Sequence, residues 1–533
     1  MAKKLSPSQK TAVIPDLSGP LVPAGVNPYK YIYLFLFLFV IFLRFYKSAE
    51  WFTFNFDEEY QALLAWSQVK DFHPIWIGVS ASNFGFYLGP AFTYLNALLF
   101  WIGKGDLTIL AYFSSLFGLV TLLSLYVVAS RIYSQKVAII ASLFYGFSAL
   151  LIYFDHRFWN PTPIAFVTIW LLYSLYRAGK DPRWFILSAI LMASGLHIHL
   201  SLMVYWPLVI LLVLKNIKKI SLSTWVISIF SYLAIVSHLI VFDINHNFDD
   251  LLGPIRYILS PKTSGSVFGM DQLSYHLHNV WFSVSRMLYL KPFTNIQEEH
   301  GLGAHGDMTQ PVFLVSLFVI TGLVWFLKKS LTEKRLRILA WMIISILLFY
   351  LIYPSTGCEY YLLSFFIMTT IVLGLFLEKL SWKLLAPLFA IYIATNSITI
   401  FTTTQSQYGL SARRNLINQI MPVIGDSPFS LETVGKDPKP YHPYGGWRYL
   451  FQTYGNTPNS SFADEYFGWI YPDEFTSEKL LYRVVISEDT FTSSLRRSYS
   501  SCGNPVSDIT ELSTENCLVV SSGVFTGYIF KLN

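Results

Sequence analysis

Charge is what this chain has least of. Asp, Glu, Lys and Arg make up only 13% of its 533 residues, where an ordinary soluble domain carries about 25%. Hydrophobic residues reach 53% and the mean hydropathy is +0.46, which places the chain among membrane proteins. No block of basic residues occurs, so the net charge of +6 reads as cytoplasmic loop charge rather than a nucleic-acid surface. There is no P-loop, GxGxxG, HExxH or CxxC. That removes nucleotide-driven transport within this chain and argues against a nucleotide-sugar Rossmann domain. Internal repeats and low-complexity arrays are missing too. No small-residue cleavage site follows the first apolar run, "YIYLFLFLFVIFLRFY", so it reads as an uncleaved first transmembrane helix behind a polar, Pro-rich tail over 1–28.

What is present is a series of apolar runs. A bilayer span needs about 20 mostly apolar residues. Candidates lie at 29–47, 107–130, 137–154, 161–178, 184–200, 201–214, 222–242, 311–327, 338–354, 361–377 and 384–402. A further apolar run, 87–102, is the ambiguous one. Lys and Arg cluster in the N-terminal tail and in "RIYSQK", "RAGKDPR", "KNIKK", "KKSLTEKRLR" and "EKLSWK". All of them fall on one side only if 87–102 does not fully cross, and the positive-inside rule makes that side cytoplasmic. The expectation is a polytopic α-helical protein with eleven spans, N-terminus inside and C-terminus outside, in a plasma membrane. The run 87–102 then becomes an interfacial or half-inserted helix.

The exoplasmic face carries a first loop (48–106), a short loop "DHRFWNPTP", a long loop (243–310), "STGCEYY" and the tail 403–533. The tail loses the apolar runs and gains Ser, Thr, Gly and Pro. Its segments "YRVVIS" and "NCLVVSSGVFTGYIFKL" predict strands, and so a small exoplasmic domain with β-structure. Cys502 and Cys517 both lie in it, on the face where disulfides persist. A bridge between them is the expectation, with two free buried thiols as the alternative. Cys358 stands alone and reads as a packed residue.

Ionisable groups near a bilayer are costly, and they mark function by default. "NFDEEY" puts Asp57, Glu58 and Glu59 about ten residues past the first span. A carboxylate there can deprotonate an acceptor hydroxyl or hold a divalent cation; the plainer reading is an acidic cap on a short interfacial helix over 57–70. Glu59 reads as that cap. "DHRFWNP" supplies Asp155, His156, Arg157 and Asn160, with Arg157 suited to phosphate oxygens and Asn160-Pro161 to a helix start. The plainer role for Arg157 and Trp159 is interface anchoring. "GLHIHLS" gives His197 and His199, whose spacing makes a poor metal pair; each either donates to a phosphate or sugar or packs as a core histidine. "FDINHNF" gives Asp243 and His246, and "GCEYY" gives Glu359, Tyr360 and Tyr361. The long loop adds His276, His278, Glu298, Glu299, His300 and His305 without compact ligand spacing. Together these polar groups gather at the outer ends of several spans. A transporter places them at mid-membrane on broken helices; a membrane enzyme acting outside needs the arrangement seen here.

The order of motifs carries a resemblance. An acidic pair follows the first span; then come "FGFYLGPAFTYLNALLFWIG", a basic turn, a third span ending in "HRFWNP", and "GLHIHLS". This resembles the GT-C fold glycosyltransferases, and more closely the bacterial members related to protein O-mannosyltransferases and to the aminoarabinose transferase of lipid A. It covers residues 29–260, extends in topology to roughly 400, and leaves 403–533 uncovered. The resemblance implies a sugar donor on a polyprenyl phosphate, attacked by an acceptor hydroxyl with inversion. Asp57 then matches the catalytic carboxylate and Glu58 the second acid. A phosphate leaving group is already a stable anion, so one base suffices, unlike glycosidases, whose leaving alkoxide must be protonated.

On this resemblance Arg157, His197, His199, Asn160, Asp243 and His246 become candidates for the donor phosphate or substrate, with Tyr360 near that phosphate. Glu359 stands where the family often has a basic residue and departs from the pattern. No cofactor is implied, unless a divalent metal is held by Asp57 and Asp155. The implied partners are the lipid-linked donor, a protein, glycan or lipid acceptor, and the bilayer; nucleic acid is not among them. The competing readings are an oligosaccharyl or phosphoglycosyl transferase on the same scaffold, and a lipid-linked sugar flippase or transporter.

Overall fold

The computed structural model describes residues 30–80, 86–259, 270–291, 312–353, 357–403, 407–434, 445–474, 478–488 and 517–532. By contact, residues 1–42 form one unit and residues 43–533 another. Helix α1 (Lys30–Phe45) begins in the first and ends in the second. Then follow α2 (Ser48–Trp51), α3 (Phe56–Lys70), α4 (Ala91–Gly103), α5 (Thr108–Ile132), α6 (Gln135–Phe147), α7 (Ala149–Asp155), α8 (Ile164–Ala178), α9 (Phe185–Gly195), α10 (Trp206–Asn216) and α11 (Leu222–Asn245). Two helices of the long loop, α12 (Asp249–Leu259) and α13 (Met270–Leu288), precede α14 (Phe313–Thr332), α15 (Arg337–Ile352), α16 (Leu363–Leu377) and α17 (Trp382–Thr402).

Among the described residues eight helices are long and apolar enough to cross a membrane, or nine if α6 and α7 count as one bent span. Each of the eleven apolar segments does hold helix, but those at 161–178 and 184–200 are shortened by turns at their polar ends, so length alone counts fewer. Helix α4 is apolar with 13 residues, about 20 Å long at 1.5 Å per residue against a hydrocarbon core of about 30 Å.

The α6–α7 break bends the chain by 70°. No proline causes it. Backbone groups freed by a break in an apolar surrounding must find partners, and here the side chains of Arg44, Asn396 and Ser148 supply them. Arg44 Nη1 donates to the Gly146 carbonyl (2.8 Å) and Nη2 to that of Tyr145 (3.3 Å). The Ala149 N–H donates to Asn396 Oδ1 (3.0 Å), whose amide donates on to Leu288 O (2.8 Å). Ser148 caps α7 through Leu151 N–H and donates to Met287 O at 2.6 Å.

The tail builds a five-stranded sheet from β1 (Phe429–Val434), β2 (Ser460–Ser461), β3 (Tyr482–Glu488), β4 (Cys517–Ser522) and β5 (Phe525–Lys531). Its order is β2-β1-β3-β5-β4; β1 lies parallel to β2 and β3, while β5 is antiparallel to β3 and β4. Strands β3 to β5 fall on the predicted segments; β1, β2 and the helices α18 (Leu410–Ile424), α19 (Trp447–Tyr454) and α20 (Asp464–Phe467) were not anticipated. Cys502 lies outside the described residues, and so does its expected bridge to Cys517. The sheet and helices share a core with the first loop: Phe52, Phe54, Leu63 and Phe100 pack in one cluster with Leu416, Leu431, Leu450 and Val484. That shared core brings the tail against the site.

Candidate functional site

Helix α3 starts at Asn55, and the Glu58 carboxylate reaches back to the Asn55 N–H (3.1 Å). Successive helical residues turn by about 100°, so the three acids of "NFDEEY" point three ways. Asp57 is exposed, while Glu58 and Glu59 are buried. Glu58 forms an ion pair with Arg157. Glu59 accepts from the Gly446 N–H (2.7 Å) and the Tyr449 N–H (2.9 Å). The expectation that Glu59 merely caps its own helix is therefore corrected: it caps α19, a helix of the tail. Its own helix is capped by Glu58, whose side chain can reach the N-cap N–H from the third position.

Arg157 sits between Glu58 and the Trp159 ring, its guanidinium carbon 3.5 Å from the ring centroid. Among the described residues its two terminal nitrogens make no hydrogen bond. An ion pair on one edge and an aromatic face below hold the fork rigid. Trp159 meets Tyr360 edge-on at 4.5 Å, and Tyr360 in turn meets His199 at 5.5 Å and Tyr361 at 4.7 Å. Asp57 is close enough to Cys358 and Tyr360 that its charge, like that of Arg157, acts on both. Burial pushes the Cys358 thiol up to about 11, away from the thiolate form, in keeping with a packed residue. Asp57, Arg157, Trp159, His199 and Tyr360 thus form one constellation, drawn from four separate segments of the chain.

The other predicted residues take different places. His197 is fully engaged: its Nδ1 faces the Ala91 N–H (3.3 Å) and its Nε2 the Ile235 carbonyl (3.0 Å). Gly89 is needed beside it, since a Cβ there would lie 2.2 Å from Nδ1. A phosphate role for His197 is corrected to a structural one. His199 Nδ1 accepts from the Ser201 N–H (3.1 Å), which leaves Nε2 as the protonated nitrogen, with no hydrogen bond among the described residues. Asn160 donates to His197 O at 3.3 Å and holds the loop. Asp243 caps α12, accepting from Asp250 N–H (2.9 Å) and Leu251 N–H (3.3 Å), and His246 stacks on Phe242 at 4.0 Å. Among the described residues no contact joins either to the constellation. Glu359 is buried against Arg286 of α13 at 3.2 Å, so an ion pair explains the acid that departs from the expected pattern.

Asp155 does not stand beside Asp57 as a metal partner. It is held by Arg44 Nε (3.0 Å) and the Tyr145 hydroxyl (3.3 Å). Among the described residues no group of three His, Cys, Asp or Glu is placed to hold a metal ion, and the Asp155 carboxylate is committed to Arg44 and Tyr145. Arg44 and Arg286 were missed from sequence, although a lone arginine within or beside an apolar run is itself a signal.

Residues 88–243 match the family described as dolichyl-phosphate-mannose-protein mannosyltransferase. Among solved structures, ArnT from Cupriavidus metallidurans bound to undecaprenyl phosphate aligns over 94% of this chain and 98% of its own, at 11% identity and a TM-score of 0.57. Its apo state aligns over the same shares at 12% identity and a TM-score of 0.55. No curated protein sequence matches the chain. The fold is that of the GT-C glycosyltransferases.

Proposed function

We propose that the protein is an integral-membrane inverting glycosyltransferase that moves a sugar from a polyprenyl phosphate to an acceptor hydroxyl. Asp57 takes the acceptor proton. Arg157, through its terminal nitrogens, and His199, through Nε2–H, face the anionic phosphate of the donor. Glu58 fixes Arg157 rather than acting on substrate. The observation that carries this reading is the single exposed acid at the head of α3 beside a clamped arginine and an aromatic wall. ArnT with undecaprenyl phosphate, on the same fold, supports a lipid-linked donor; fold alone does not fix chemistry. In this reading the chain crosses a plasma membrane eleven times, with the basic loops cytoplasmic and the site, 243–310 and 403–533 exoplasmic.

The test is transfer of radiolabelled sugar from a panel of undecaprenyl-phosphate hexoses and pentoses to endogenous membrane acceptors. Wild type is compared with Asp57→Asn, with and without a chelator. Transfer lost in the variant and retained with the chelator is the expected result. Transfer of equal rate in both proteins sinks the assignment of Asp57. Because Arg44 already neutralises Asp155, chelator-sensitive transfer means a metal held by other ligands.

A further inference from the structure

We propose that the tail is a working part of the site: Glu59 and Arg413 fasten the first turn of α3 to the Gly445–Gly446 corner and so set where Asp57 stands. This rests on the reading of Asp57 as the base.

Two buried charged side chains cross between the first loop and the tail, in opposite directions. Glu59 is 0% exposed and gives one carboxylate oxygen to Gly446 N–H and the other to Tyr449 N–H. These are the N-cap and third residue of α19, positions whose N–H groups have no partner within a helix. A Ser, Thr, Asp or Asn at the N-cap itself ordinarily serves there; this helix has Gly446 and takes its cap from a residue 387 positions upstream. Burying a carboxylate is expensive unless its oxygens are met, so the arrangement is costly for capping alone.

Arg413 runs the other way. It is 3% exposed, donates from Nη2 to Asn55 Oδ1 (3.1 Å) and from Nη1 to Gly445 O (3.0 Å), and lies over the Trp447 and Phe525 rings at 4.9 and 4.8 Å. Asn55 is the N-cap of α3. The backbones approach closely between these ties. Gly446 has φ of 101°, and a Cβ on it would lie 2.5 Å from Phe54 O; one on Gly445 would lie 2.8 Å from Phe56 Cα.

Asp57 is therefore the exposed acid of a turn in which Glu58 and Glu59 are buried. Glu58 is fixed by Arg157 on one side, and Asn55 and Glu59 by the tail on the other. Reacting groups misplaced by about 1 Å lose about 100-fold in rate, so Glu59 and Arg413 act as positioning residues.

The experiment uses the full chain in lipid nanodiscs with the undecaprenyl-phosphate sugar panel. Glu59→Gln keeps the size but cannot accept both N–H groups. It should lower kcat by about 10- to 100-fold, leave the donor KM within about twofold, and shift the acid limb of the kcat/KM–pH profile, because Asp57 then sits differently among its neighbours. Lys70→Ala removes an exposed tie between the same α3 and the tail, Lys70 to Glu474 at 2.8 Å, and should leave kcat and the profile unchanged. A folded Glu59→Gln protein with wild-type kcat, KM and acid limb overturns the proposal. So does a loss of kcat that matches the unfolded fraction with the acid limb unmoved. Should Glu59→Gln not fold, Asn55→Ala, which removes only the Arg413 contact and the N-cap side chain, decides by the same profile. Full transfer by Asp57→Asn means instead that the base assignment has failed, whatever Glu59 does.

Discussion

Glu58 and Glu59 are neighbours in sequence and belong to different halves of the molecule. Glu58 looks toward the helices, where a guanidinium and a tryptophan face meet it. Glu59 looks toward the sheet and its helices, where two backbone N–H groups meet it. Both burials neutralise a carboxylate, by different physics. The helical side uses a charge that substitution can remove. The tail side uses partial charges at a helix start, which no side-chain change abolishes. Asp57, next to them in sequence, is exposed, and the proposed function gives it the acceptor proton.

The comparison is broken most completely at Asp57 itself. Asp57→Asn should reduce transfer by about 1,000-fold, within the range for loss of a general base, with an unchanged melting temperature because the residue is exposed. On the helical side, Arg157→Met strands a buried Glu58 charge. The expected loss is about 3–5 kcal/mol of stability, read by thermal unfolding, together with loss of transfer. Adding Glu58→Gln should recover most of the stability and none of the activity.

Between the two sides, Asp106 accepts from the Thr108 N–H (2.8 Å) and the Tyr454 hydroxyl (2.8 Å). Burial works against its charge, but these donors and Arg414 hold the carboxyl below its usual range. Asp106→Ala should cost about 1 kcal/mol without changing kcat. The smallest effect is expected at α12. There Asp250 accepts from Tyr87 N–H at 2.5 Å. Burial, with the nearby Asp243 charge, raises Asp250 from 3.8 to about 6 despite the Tyr87 hydrogen bond. Its folded form holds a proton the unfolded form releases, so its contribution is full below pH 4 and is lost as pH rises through 6. Hydrogen exchange at 250–256, corrected for intrinsic rates, should quicken across that window in wild type and stay flat in Asp250→Asn. Equal behaviour of the two proteins would remove the role given to this carboxyl.

Much of the helical half was legible because its determinants are local or additive. Apolar runs, basic turns and the place of "NFDEEY" and "HRFWNP" depend on composition and position along the chain. In the tail, strands β3 to β5 were legible for a similar reason, since their segments alternate or are rich in β-branched residues. His197 and Asp243 misled for a shared reason: a polar residue at the end of a span looks the same in sequence whether it serves a ligand or a neighbouring backbone. Only contacts with Ala91, Ile235, Asp250 and Leu251 separate the two.

The sequence by itself determined that this is a membrane protein, where its apolar helices fall, and that acids gather past the first of them. Tertiary structure alone decided which acid stays exposed, which pairs with Arg157 and which seizes the tail. The physical reason is that three consecutive helical residues are equivalent in composition, yet point about 100° apart. What each one meets is set by chain folded back from about 100 and 390 positions away.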